Sequence, residues 1–259
     1  MPHSHGKLLA IASGKGGVGK TWLAVTLAHA LANAGQRILL VDADFGLANV
    51  DIQLGLMPEQ DITTFLAGAA PIEAVIHHHA AGFDILPGRS GAARLANLAP
   101  ETLTAILTAL RRLAPNYDRV LLDLGSGLDL AIRHIAANVD ALLVVATEEP
   151  TSITDAYAVL KLHAQDRAVP IEVQIVINQA ITQASGRRVF GTIANAAQRY
   201  LGAMPTLLGI IRRDDRVRDA IRRQTLLLQR HPTSQAAVET EIVAAALRGL
   251  TQVAQTRVW

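Results

Sequence analysis

Seven short apolar runs punctuate the chain, at 8–12, 38–41, 83–86, 120–122, 141–146, 173–177 and 207–211. Within each run the apolar positions are continuous rather than alternating, the pattern of parallel strands covered on both faces. Helix-like stretches such as 22–34 and 101–113 lie between several of them. This order predicts an α/β architecture: a mostly parallel, twisted sheet of about seven or eight strands, with crossover helices on both faces. Gly35 stands where the first helix should stop. Pro100 and Glu101 open another, at a position where proline's fixed φ and missing N–H are tolerated.

Nothing in the pattern argues for cutting the chain. There is no repeat, low-complexity linker or long charge block, so 7–250 reads as a single domain and 251–259 as a C-terminal tail. The 24 basic and 22 acidic residues leave a formal charge of +2, which gives no global pull toward nucleic acid or an acidic surface. The absence of cysteine removes disulfides, thiolate zinc sites and cysteine nucleophiles, and fits a reducing cytoplasm. The longest stretch without Lys, Arg, Asp or Glu, 21–36, has sixteen residues and includes His29, Asn33 and Gln36, too short and polar to span a bilayer. The short apolar run near the start feeds directly into the glycine loop and leaves no room for a cleavable signal, so the expected location is cytoplasmic.

The chemistry concentrates where the first predicted strand meets the first predicted helix. Gly14, Lys15, Gly16, Gly17, Val18, Gly19, Lys20 and Thr21 satisfy G-x-x-x-x-G-K-[ST] in the strand–loop–helix setting that the motif needs. Glycines let the backbone curl around phosphate oxygens, amides and the helix N-terminus supply positive potential, and Lys20 adds a full charge. Thr21 has a hydroxyl suited to Mg²⁺. The motif predicts a P-loop NTPase. Asp42 and Asp44 follow the second run, and Asp123 ends the fourth, all at the carboxyl ends of predicted parallel strands where α/β sheets place their ligands.

The second lysine within KGGVGKT, Lys15, makes the loop resemble the deviant Walker A sequence of the MinD/ParA family. The resemblance implies a Mg²⁺-dependent ATP hydrolase that forms a homodimer on ATP, with Lys15 reaching the partner's phosphates. It further implies that Asp44 orients the attacking water, that Asp42 lies near the Mg²⁺ shell and that Asp123 holds Mg²⁺. Asn178 would read the adenine edge, and 209–215 would form the second adenine-side loop, with Arg212 where proline is common. Two positions depart from the family pattern. Ser126 replaces alanine in the turn after Asp123, and Trp22 replaces the hydroxyl residue that touches the α-phosphate, leaving its backbone amide for that contact. The apolar stripe of the helix favours an indole packed in the core, with packing under the nucleotide as the alternative.

Residues 42–56, 86–98, 148–162 and 209–224 are similar to the FlhG (FleN) branch, whose members limit flagellar number and position. That resemblance implies partners among an FlhF-like GTPase, flagellar C-ring proteins or a transcriptional activator, with peripheral contact at the inner membrane or cell pole. A MinD-type septum role, a ParA-type partition role and a nucleotide-binding scaffold with little turnover are the alternatives. Many FlhG members carry a DQAxxLR segment before the P-loop strand. Only six residues precede Lys7 here, so stimulation of the GTPase by such a segment is not expected.

Three further features complete the reading. Ile242, Ala246, Leu250 and Val253 near helical spacing, with Arg248, Arg257 and Trp259 nearby, suggest a C-terminal helix docked on the body, with a membrane-surface helix as the alternative. Arg212, Arg213, Arg216, Arg218, Arg222 and Arg223 are interrupted by Asp214, Asp215 and Asp219, a mixture that favours a solvated or partner-binding helix over a DNA track. His77, His78 and His79 cannot all face one ion and read as a polar helix end.

Overall fold

The structure, a computed structural model, describes residues 6–90, 98–167 and 171–256, with side chains as far as 249. In chain order the elements are β1 (Lys7–Ser13), α1 (Lys20–Asn33), β2 (Ile38–Ala43), α2 (Val50–Leu54), α3 (Ile62–Leu66), β3 (His77–His79), β4 (Phe83–Leu86) and α4 (Pro100–Leu113). There follow β5 (Arg119–Ser126), α5 (Leu130–Ala137), β6 (Ala141–Ala146), α6 (Pro150–Asp166), β7 (Glu172–Ala180), α7 (Gln183–Leu201) and β8 (Thr206–Arg212). Helices α8 (Asp215–Arg222), α9 (Leu227–Arg230) and α10 (Gln235–Thr256) complete the chain. The strands form one eight-stranded sheet in the order β3-β4-β2-β5-β1-β6-β7-β8, parallel throughout except for β3 against β4.

The continuous apolar runs have the expected cause. Leu8, Ala10 and Ala12 of β1 face a core shared with α4, α5, α6 and α7, while Leu9 and Ile11 face a second core shared with α1, α9 and α10. Helix α1 is buried nearly all round because α10 packs over it. Gly35 terminates the α1 turn at φ 82°, and Pro100 occupies the first turn of α4.

Two expectations change. The three histidines form the antiparallel edge strand β3 rather than a helix end. They were invisible as a strand because they are polar. His79 stacks on Phe83 with ring centroids 4.9 Å apart, and His78 Nδ1 lies 2.6 Å from Asp84 Oδ1. No group of three or more potential metal-ligating residues gathers among the described residues.

The second change concerns α10. Its buried face is Ala236, Thr240, Val243, Ala244 and Leu247, whereas Ile242 of the expected stripe is 60% exposed. Both sets have helical spacing, and Gly209 decides between them. A Cβ there would stand 2.5 Å from Val243 Cγ2, so the glycine lets α10 settle onto β8 along that face. The helix continues through 251–256, past the boundary expected at 250. Arg257, Trp259, the side chains of Leu250 and Val253, and 91–97 within the stretch 86–98 lie outside the described residues. Among the described residues no helix is long and apolar enough to cross a membrane.

Candidate functional site

β1 sits between β5 and β6 in the sheet, so the loop after β1 opens at the point where the chain's crossovers diverge. Gly17 and Gly19 adopt left-handed backbone, φ 80° and 85°, which curls 14–19 into a cradle ending at the first turn of α1. The fit around it is close. A Cβ on Gly14 would stand 2.5 Å from the Asp155 carbonyl oxygen, and one on Gly19 would stand 2.5 Å from Asn178 Nδ2. The loop therefore packs directly on α6 and on the end of β7.

Lys15, Gly16, Gly17, Val18, Gly19, Lys20, Thr21 and Trp22 line one cleft with Asp44 and Ser126, a space of about 600 Å³ that α2 and the end of α8 close on the far side. Lys20 Nζ donates to Asp123 Oδ1 at 3.1 Å, with both side chains almost wholly buried. Burial pushes the Asp123 carboxyl upward, although the Lys20 charge and a hydrogen bond from the Thr21 side chain oppose this. Asp42 and Asp123 are paired in register across β2 and β5.

Asp42 is also buried. Its Oδ2 accepts from the N–H groups of Asn49 and Val50, each at 2.9 Å, and Oδ1 accepts from Asp44 N–H at 3.3 Å. Burial first, and then the neighbouring Asp123 charge, lift its pKa to about 7 against the pull of those donors. The carboxylate thus ties β2 to the start of α2. Asp44 is half-buried and accepts from Leu47 N–H at 3.2 Å, and its Oδ1 stands 3.3 Å from where Gly125 would carry a Cβ.

Lys15 projects to the rim, where it pairs with Glu149 and donates to Thr151 Oγ1 at 3.0 Å. Sequence reasoning missed both partners. They lie within 148–162, a stretch that marked the family branch without revealing that α6 begins beside the loop. Asn178 is buried, and its Nδ2 donates to Val18 O at 2.8 Å, bracing the loop from beneath. Gln179, at a left-handed φ of 55°, adds a second brace through Nε2 to Gly17 O at 3.0 Å. Trp22 is 4% exposed and packs in the core as its helix pattern predicts, with no acceptor for its indole N–H among the described residues. Arg212 turns to α10, its Nε 2.6 Å from Glu239 Oε1.

A profile of the AAA domain family AAA_31 matches residues 6–166, which span the cradle, Asp42, Asp44, Asp123 and Lys15's partners. The antiactivator FleN of Pseudomonas aeruginosa is 35% identical over 239 residues, covering 92% of this chain and 85% of that protein. The chain is a MinD/ParA-type P-loop ATPase of the FlhG kind. The flagellum site-determining protein YlxH of Helicobacter pylori is 29% identical, covering 76% of this chain and 69% of that protein. Among solved structures, the septum site-determining protein MinD of Pyrococcus horikoshii, complexed with Mg-ADP, shares the fold of this MinD/ParA-type ATPase with a TM-score of 0.80. It is 23% identical and covers 95% of this chain and 98% of that one.

Proposed function

We propose that this ATPase is a nucleotide-operated switch: ATP joins two chains, slow hydrolysis separates them, and the cycle regulates flagellar number and placement. The observation that carries the reading is the arrangement of two cations at one cradle. Lys20 is buried on Asp123, and Lys15 waits at the rim on an exposed carboxylate. A surface pair of the latter kind is worth at most about 1 kcal/mol, so Lys15 can be drawn away by a partner's phosphates at little cost. A cation supplied in trans can accelerate phosphoryl transfer by about 10³- to 10⁵-fold.

In this reading the loop amides and Lys20 neutralise phosphate charge, and Trp22 contributes its backbone amide. Asp44, beside the Gly125 turn, orients the attacking water. The Thr21 hydroxyl and Asp123 carboxylate already meet each other, and hard oxygen donors of this kind suit Mg²⁺, which takes one or two protein ligands together with substrate phosphates. Magnesium when bound supplies positive charge to the phosphate oxygens. Asp42, committed to three backbone donors, fits as an outer neighbour that holds the segment leading to α2. Asn178 supports the cradle through its Nδ2, and its side-chain oxygen is the group it would offer to the adenine edge.

The names antiactivator and flagellum site-determining protein support the flagellar role, with an FlhF-like GTPase, C-ring proteins or a transcriptional activator as the partner class. Light scattering with ATP and Mg²⁺ tests the switch. The wild type is expected to double in mass and Lys15→Ala to remain a monomer that still binds ATP. A wild type that binds ATP and stays monomeric refutes the dimer. Equal phosphate release by the wild type and Asp44→Ala points instead to a scaffold with little turnover.

A further inference from the structure

We infer that Ser126 is the residue by which this chain distinguishes ATP from ADP, its hydroxyl donating a hydrogen bond to the γ-phosphate. The inference rests on the ATP-binding reading above and names a group for it. Ser126 is the last residue of β5 and pairs with Ser13, the last residue of β1, just past a register shift in the ladder. The main chain on its far side is fixed as well, because Gly127 N–H donates to Ser13 O at 2.9 Å. A side chain at 126 is therefore held beside the root of the phosphate cradle rather than on a free loop.

The hydroxyl leans over the cradle. Ser126 Oγ lies 3.4 Å from the point where a Cβ on Gly16 would stand, and Gly16 carries no side chain to come between them. It shares the cleft with Lys20, Thr21 and Asp44. Its position along the cleft selects the phosphate it would meet. The preceding residue, Gly125, abuts Asp44, the residue assigned above to orient the attacking water. Ser126 thus stands at the end where hydrolysis occurs.

The hydroxyl is also unspent. Ser13 Oγ is committed to Lys15 O at 2.9 Å, and the Thr21 side chain to Asp123. Ser126 Oγ makes no hydrogen bond among the described residues, and the residue is exposed. A pre-positioned neutral donor facing a site for anions gains its full value only when an anionic oxygen arrives. ADP brings none to that end of the cleft.

The test is calorimetric titration of ADP and of AMPPNP, with Mg²⁺, into wild type and Ser126→Ala. Both are made in a Lys15→Ala background so that dimerisation does not contribute. We expect Ser126→Ala to bind AMPPNP about tenfold more weakly, the loss of one hydrogen bond to a charged acceptor, while ADP affinity is unchanged. Ser126→Thr, which keeps the hydroxyl, should recover most of the AMPPNP affinity. Unchanged ADP binding also reports that the variant is folded. Equal weakening for both nucleotides, or none for AMPPNP, overturns the inference while leaving the ATPase reading intact. A parent protein that binds neither nucleotide defeats the reading itself and this inference with it.

Discussion

Lys20→Met, measured without nucleotide and with magnesium chelated, isolates what the buried cation does for the folded chain. Lys20 and Asp123 are 7% and 1% exposed and 3.1 Å apart. Removing the ammonium leaves the Asp123 carboxylate with the Thr21 side chain as its remaining partner from this group. Breaking one side of a buried pair costs about 3–5 kcal/mol when the other charge must stay ionised. Asp123 can escape by taking up a proton, and burial already holds its carboxyl above the ordinary range, so loss of Lys20 moves it further upward. The sign follows from proton binding. Between the unfolded carboxyl value near 3.9 and the raised folded value, the native state holds the extra proton, so stability falls as pH rises, by up to about 1.4 kcal/mol per unit. Urea unfolding at pH 5, 6.5 and 8, each compared with the wild type at the same pH, should show a small deficit at pH 5 that grows to about 3–5 kcal/mol at pH 8. Lys20→Met/Asp123→Asn should recover most of that loss. Equal deficits at pH 5 and pH 8, or a double variant no more stable than the single one, refute the stranded-carboxylate account.

Asp42 predicts a second pH effect, in the unmodified protein. Its folded pKa of about 7 lies above the unfolded value, so nucleotide-free stability should decline from pH 5.5 to 8, and Asp42→Asn should flatten that slope; parallel slopes for the two proteins count against it. Trp22 and Trp259 are the only tryptophans, and Trp22 lines the nucleotide cleft from within the core. In Trp259→Phe, therefore, emission should shift as nucleotide is titrated. Calorimetric binding with a constant spectrum would show that the cleft wall does not respond.

Much of the site was legible because a phosphate cradle is a local structure. Its glycines, its two lysines and its place between a strand and a helix are adjacent in the chain, and short-range backbone geometry decides what they form. Asp42, Asp44 and Asp123 were legible at one remove, since the carboxyl ends of parallel strands gather on one edge. The histidines of β3 were not, because an edge strand needs no apolar face and three polar residues carry no strand signal. The buried face of α10 was not either. Two helical stripes competed, and a missing Cβ on Gly209 of another element settled the choice.

What the sequence by itself determined was the fold class, the cradle and the kind of ligand it accepts. Those depend on periodicity and on residues within a few positions of one another. Only the tertiary structure decided where each charge and amide spends its hydrogen bonds: Lys15 on Glu149, Asp42 on the backbone leading to α2, Asn178 beneath Val18, and Ser126 on no partner among the described residues. Those partners lie from 7 to 160 positions away in the chain. Their meeting is set by sheet order and helix packing, which spacing along a sequence does not encode.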